Sequence, residues 1–138
     1  SAVVSFELKL PQIRDLSKAI DTEFIAYGRL PLMITENCII HNHSGQHTCA
    51  GVNLLTDRKG ERFPVMKAFG CRNEILNAKK IFLADKQEDW QRLGLWAARL
   101  QFTTENALEC TQVLERCLNR GRYQPNDYTR GLYYRGVE

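Results

Sequence analysis

The amino-acid sequence predicts an α/β fold with a β-hairpin insertion and a long C-terminal helix. Three observations carry the prediction. A strand, a helix and a second strand follow one another within residues 3–27; the turn sequence D-R-K-G separates two apolar runs within residues 51–68; and apolar side chains recur at helical spacing beyond Thr103.

Taken in order, V-V-S-F-E-L-K-L from Val3 to Leu10 alternates, with Val4, Phe6, Leu8 and Leu10 on one face of a strand. Pro11 opens a helix whose Ile13, Leu16 and Ile20 share a side, and Thr22 to Tyr27 is a short buried strand ending at Gly28. Such a βαβ unit favours a parallel sheet with a right-handed crossover. Leu30 to Thr35 (L-P-L-M-I-T) is apolar enough to be buried, which sets Cys38 just outside the core. Gly51 to Thr56 and Arg62 to Ala68 form the hairpin, with Gly60 available for positive φ. Lys80 to Ala84 is a strand, Asp85 caps a short helix stopped by Gly94, and Trp96 to Phe102 is the next strand. Thr103 or Thr104 then caps the longest helix, with Glu105 in its first turn and Gly121 beyond its end; Ala107, Cys110, Val113, Leu114, Cys117 and Leu118 form its core face.

The 138 residues amount to a single domain, large enough to bury a core, and 43% hydrophobic with 25% charged residues is the composition of an ordinary globular chain. No apolar run reaches membrane-span length, so no membrane partner is expected. A net charge of +3 does not demand a polyanionic partner. Five cysteines, an odd number, suit a reducing compartment, and a cytoplasmic location is expected. Ser1 and Ala2 read as an expression remnant ahead of a strand that begins at once, so the chain is expected to be a piece of a longer protein. Its first partner is then the remainder of that chain; the isolated piece is expected to be inactive, and to pair edge strands into a homodimer.

Metal-capable side chains concentrate in residues 28–49. Cys38 and Cys49 bracket His41, His43 and His47, which are all the histidines in the chain. Thiolates and imidazoles bind zinc, copper or iron-sulfur centres, although cysteine is also a small core hydrophobe and a histidine-rich loop can simply be solvated. The loop leaves the carboxyl end of a strand, where α/β sheets place their sites. The hairpin carries the chain from Cys49 back toward Cys71, so three thiols converge. Cys110 and Cys117 lie on a core stripe, and Cys110, nearer the helix start, is the better candidate for a fourth ligand. No G-x-S-x-G or H-E-x-x-H occurs, and a Cys38–His41 pair three residues apart is unremarkable. An iron-sulfur centre on Cys38, Cys49, Cys71 and Cys110, with His41, His43 and His47 around it, fits the ligand types; zinc is the alternative. Near the C-terminus Arg130, Arg135 and Tyr128 are candidates to hold RNA or another anionic substrate, against the plainer alternative of a solvated basic tail or a contact with the rest of the chain.

Several segments taken together resemble the later part of the catalytic region in the collagenase-like peptidase family, U-32. They are S-F-E-L at Ser5, Y-G-R-L-P-L-M at Tyr27, the Cys38 and Cys49 pair, D-R-K-G-E-R-F-P-V ending at Val65, I-L-N at Ile75, R-L-Q-F-T at Arg99 and T-R-G-L-Y-Y-R-G-V-E at the end. The resemblance implies an α/β barrel, of which this chain is a partial (β/α) barrel fragment from the C-terminal portion. It implies two activities, peptide cleavage and oxygen-independent hydroxylation of ubiquinone precursors or of transfer or ribosomal RNA. Hydroxylating relatives hold a four-iron four-sulfur (4Fe-4S) cluster on four cysteines. Cys38 and Cys49 match cluster cysteines and Cys71 matches approximately, whereas Pro31 and Asn53 stand where some relatives have cysteine. The fourth ligand is then Cys110 or a residue of the remaining chain. The expected function is an iron-sulfur hydroxylation factor acting on RNA or a small aromatic precursor. The alternatives are a metal- or cysteine-dependent protease acting on peptides or collagen, and a non-catalytic RNA-binding accessory domain.

Overall fold

The computed structural model describes residues 1–135. In chain order the elements are β1 (Ala2–Val3), α1 (Leu10–Ser17), β2 (Thr22–Gly28), β3 (Pro31–Thr35), α2 (Ile39–Ser44), β4 (Asn53–Thr56), β5 (Arg62–Lys67), β6 (Asn73–Leu76), β7 (Lys80–Phe82), α3 (Gln87–Leu93), β8 (Ala97–Gln101), α4 (Ala107–Cys117) and β9 (Tyr128–Thr129). The α/β class holds, and the chain divides into two compact units. Unit 1 is Ser1–Gly28 with the chain from Lys80 onward, and unit 2 is Arg29–Lys79. Each unit has its own sheet, and neither sheet closes on itself. Among the described residues no helix is long and apolar enough to cross a membrane.

Unit 1 is built on β2, whose T-E-F-I-A-Y-G run is buried at nearly every position, as a strand covered on both faces must be. β1 runs parallel to its start and β8 parallel along it from Glu23↔Ala97 to Gly28↔Gln101. β7 pairs antiparallel at its end through Tyr27↔Phe82, and β9 lies parallel to β7. Gly28 has φ 131°, and a Cβ there would collide with the Gln101 carbonyl, so this crossing of β2 and β8 requires glycine. Tyr27, Phe82, Ala84 and Val113 form the core cluster. Phe24 meets Trp90 and Tyr133 edge-on at 5.4 and 5.8 Å. Buried Tyr133 donates its hydroxyl to the Ile25 carbonyl, and its own carbonyl accepts the Leu10 N–H at 2.8 Å.

Several expectations for unit 1 are corrected. The strand expected over residues 3–10 ends almost at once: the Ser5 hydroxyl accepts the Glu7 N–H and Leu8 N–H bonds to the Ser5 carbonyl, a local turn that competes with the ladder. Of the predicted α1 face only Ile13 is buried; Leu16 and Ile20 are exposed. Helix caps also fall elsewhere. Lys86, not Asp85, precedes α3, and Asp85 pairs with Arg130 instead. Asn106 caps α4 in a reciprocal box with Glu109, while Glu105 stays ahead of the helix and accepts the Thr103 and Thr104 N–H groups at 2.7 and 3.1 Å. On α4 Val113 is buried, whereas Leu114 and Leu118 are exposed.

Unit 2 is an antiparallel sheet in the order β3-β6-β5-β4. Its β4–β5 hairpin closes as the D-R-K-G turn predicts: the Asp57 carboxylate accepts the Lys59 and Glu61 N–H groups, and Gly60 takes φ 84°. β6 was not foreseen, yet it is the inner strand that pairs with both β3 and β5. The apolar run expected to be buried is the edge strand β3, and Leu32, Met33 and Ile34 on it are exposed. Buried apolar residues in this unit are few: Leu30, Pro64, Val65 and Leu76, besides Cys38 and Cys49.

Candidate metal centre

Unit 2 brings three thiols and one imidazole to one place. Cys38 is the N-cap of α2, its Sγ accepting the His41 N–H at 3.4 Å. The loop before it is fastened by Asn73, a fully buried polar side chain. Asn73 Oδ1 accepts the Ile39 N–H at 2.7 Å, and the Asn73 N–H donates to the Thr35 hydroxyl, which itself donates to the Asn37 carbonyl. α2 stops at Gly45 in the left-handed conformation, and the chain doubles back so that His47 stacks on His41 with ring centroids 4.0 Å apart. Cys49 follows in a loop that the Asn53 amide ties by donating to the Thr48 and Gly51 carbonyls. After the hairpin, Gly70 and Cys71 adopt φ 68° and 63° in succession, and the Ala68 N–H bonds to the Arg72 carbonyl to close that loop.

Cys49 Sγ then lies 3.6 Å from Cys71 Sγ, and Cys71 Sγ 3.5 Å from His47 Nδ1. One donor atom each from Cys38, His47, Cys49 and Cys71 lies within 4.8 Å of all the others. These four could hold a metal ion. A tetrahedron with metal–sulfur bonds of about 2.3 Å has sulfur–sulfur edges of about 3.8 Å, close to the spacing seen.

The thiols also act on one another. The His41 N–H holds the Cys38 thiol below its ordinary value, against the opposing effect of burial. The neighbouring Cys49 thiol, then burial and Cys38, push Cys71 up to about 11.

The other predicted residues fall as follows. His41 borders the group through its stack on His47, and His43 is exposed on α2. Cys110 lies on α4 in unit 1, and His47 is the fourth member of the group. Arg130 forms a two-bond pair with the Asp85 carboxylate, donates to the Phe82 carbonyl at 2.7 Å and covers the Tyr128 ring at 4.8 Å. Its charge is thus matched within unit 1, while Arg135 is exposed. Tyr128, Arg130, Tyr134 and Arg135 border a shallow cavity of about 450 Å³.

Two features were missed in the sequence. Asn73 carried a signal, an asparagine directly after G-C-R at a strand start, but only its burial shows its task. The second is a buried ion pair in unit 1: Glu105, its side chain wholly inaccessible, takes Lys80 Nζ at 2.9 Å and the Tyr27 hydroxyl at 3.2 Å. Burial and then the Glu105 charge raise the Tyr27 phenol. These partners are 25 or more positions apart in the sequence, which is why no local pattern announced them.

Compared with known proteins, the chain matches no family model, no curated protein and no solved structure.

Proposed function

We propose that residues 29–79 are a metal-binding module in which Cys38, His47, Cys49 and Cys71 hold one four-coordinate ion, zinc before others. The observation that carries this reading is the mutual approach of four donor atoms to within 4.8 Å. The thin apolar core of the unit supports it, since a unit of this size with so few buried side chains needs a staple. Four protein ligands close the coordination shell, which suits a structural ion and leaves no open position for hydrolytic water. When bound, the ion compensates the three thiolates and fixes the loops that carry them. The chain's own residues do the positioning: Asn73 holds the Cys38 loop, and the left-handed pair Gly70–Cys71 presents the last thiol.

A second reading keeps the cluster implied by the resemblance to the U-32 family, in which this chain belongs to a barrel protein that hydroxylates RNA or an aromatic precursor. Three adjacent thiolates favour it. Against it, a 4Fe-4S cluster spreads its ligands over separate irons, farther apart than the 3.6 Å between Cys49 and Cys71, and His47 would have to replace a cysteine. Metal analysis of anaerobically purified protein with a visible spectrum separates the two: zinc without a chromophore supports the first, whereas iron with acid-labile sulfide and a coloured protein overturns it in favour of the second.

A further inference from the structure

We infer that Cys71 and Cys49 form a thiol-oxidation site, at which a hydroperoxide joins their sulfurs in a reversible disulfide that dismantles the metal centre. The inference deepens the proposed function, because its metal-release consequence rests on that reading. Three observations lead to it. The two sulfurs lie 3.6 Å apart, within reach of a bond after a small rotation. Cys71 is the partly exposed thiol of the three, whereas Cys38 and Cys49 are buried. Cys38 Sγ is also occupied by the His41 N–H, which leaves Cys49 as the natural resolving partner.

The chemistry balances. In the loaded centre Cys71 would be a thiolate; its sulfur leaves the ion and attacks one oxygen of hydrogen peroxide, the O–O bond breaks, and water leaves after protonation, giving a sulfenic acid at Cys71. The Cys49 thiolate then attacks Cys71 Sγ, the S–S bond forms, the S–O bond breaks and a second water leaves. Two thiols are oxidised by two electrons and one hydroperoxide is reduced. With Cys49 and Cys71 joined, only Cys38 and His47 remain as donors, too few to retain the ion. A thiol reductant restores the set.

The test treats the whole chain with hydrogen peroxide, maps cross-linked peptides by mass spectrometry without reduction, and follows metal released to a chromogenic chelator. The expected result is a Cys49–Cys71 cross-link formed in step with metal release, reversed by reductant, and lost in Cys49→Ser and in Cys71→Ser. A wild-type cross-link through Cys38, or peroxide treatment that leaves both the thiols and the bound metal intact, overturns it. If the chain binds no metal, the proposed function falls, and peroxide treatment of the metal-free protein then reads the oxidation site by itself: a Cys49–Cys71 cross-link supports it and the absence of one overturns it.

Discussion

The Asn73 side-chain carbonyl accepts the Ile39 N–H at 2.7 Å, joining the start of β6 to the first turn of α2 across 34 positions of sequence. That bond sets where Cys38, one residue earlier, presents its sulfur. Asn73→Ala leaves the half-buried Ile39 N–H without its partner, a loss of about 1–3 kcal/mol. Hydrogen exchange is the direct check: amides of residues 29–79 lose protection in the variant, and those of β2 and β8 do not.

The three histidines are expected to differ sharply. His47→Ala removes a donor and weakens zinc binding by about a hundredfold or more, read by competition with a chelator. His41→Ala removes only the ring stacked on His47 and costs about tenfold. His43→Ala leaves the affinity unchanged, because that ring is outside the group.

Gly28 is expected to tolerate no side chain. At φ 131° and against the Gln101 carbonyl, Gly28→Ala strains the backbone and separates β2 from β8, destabilising unit 1 by more than about 2 kcal/mol in denaturant titrations. Gly45→Ala, at φ 71° with open space around it, costs about 1 kcal/mol, in unit 2.

Acid stability is expected to depend on Asp85. Burial raises its carboxyl, but the hydrogen bonds and charge of Arg130 outweigh that and hold it below its ordinary 3.8. A carboxylate lowered by folding stabilises the native state above its unfolded value, and that stability is lost as pH falls through the folded value. Thermal melts therefore show wild-type stability declining below about pH 4. Asp85→Asn is less stable at neutral pH and declines less steeply in acid. The flattening is partial, because Glu105 is also lowered: burial opposes the shift, and the Lys80 bond outweighs it.

Much of this fold was legible because its signals are local. The buried run of β2, the Asp57–Gly60 turn and the Gly94 stop each lie within a few residues and appear where expected. The failures share a cause. By position Asp85 looks like a helix cap and Glu105 like a first-turn residue, but distant partners, Arg130 and Lys80, claim their carboxylates. Leu32, Met33 and Ile34 look like a core strand by composition, yet β3 pairs only with β6 and lies at the sheet edge. At the cysteine–histidine group the hairpin made the approach of Cys49 to Cys71 readable. The fourth donor was not, because the turn at Gly45 that returns His47 to the group depends on backbone conformation, while thiol chemistry drew attention to Cys110.

The metal content of the purified chain tests the proposed zinc site most directly. Elemental analysis after anaerobic purification is predicted to find one zinc per chain and no acid-labile sulfide, with the zinc lost in Cys38→Ser and kept in Cys110→Ser. A chain that holds no metal under those conditions, or one that carries iron and sulfide, contradicts it.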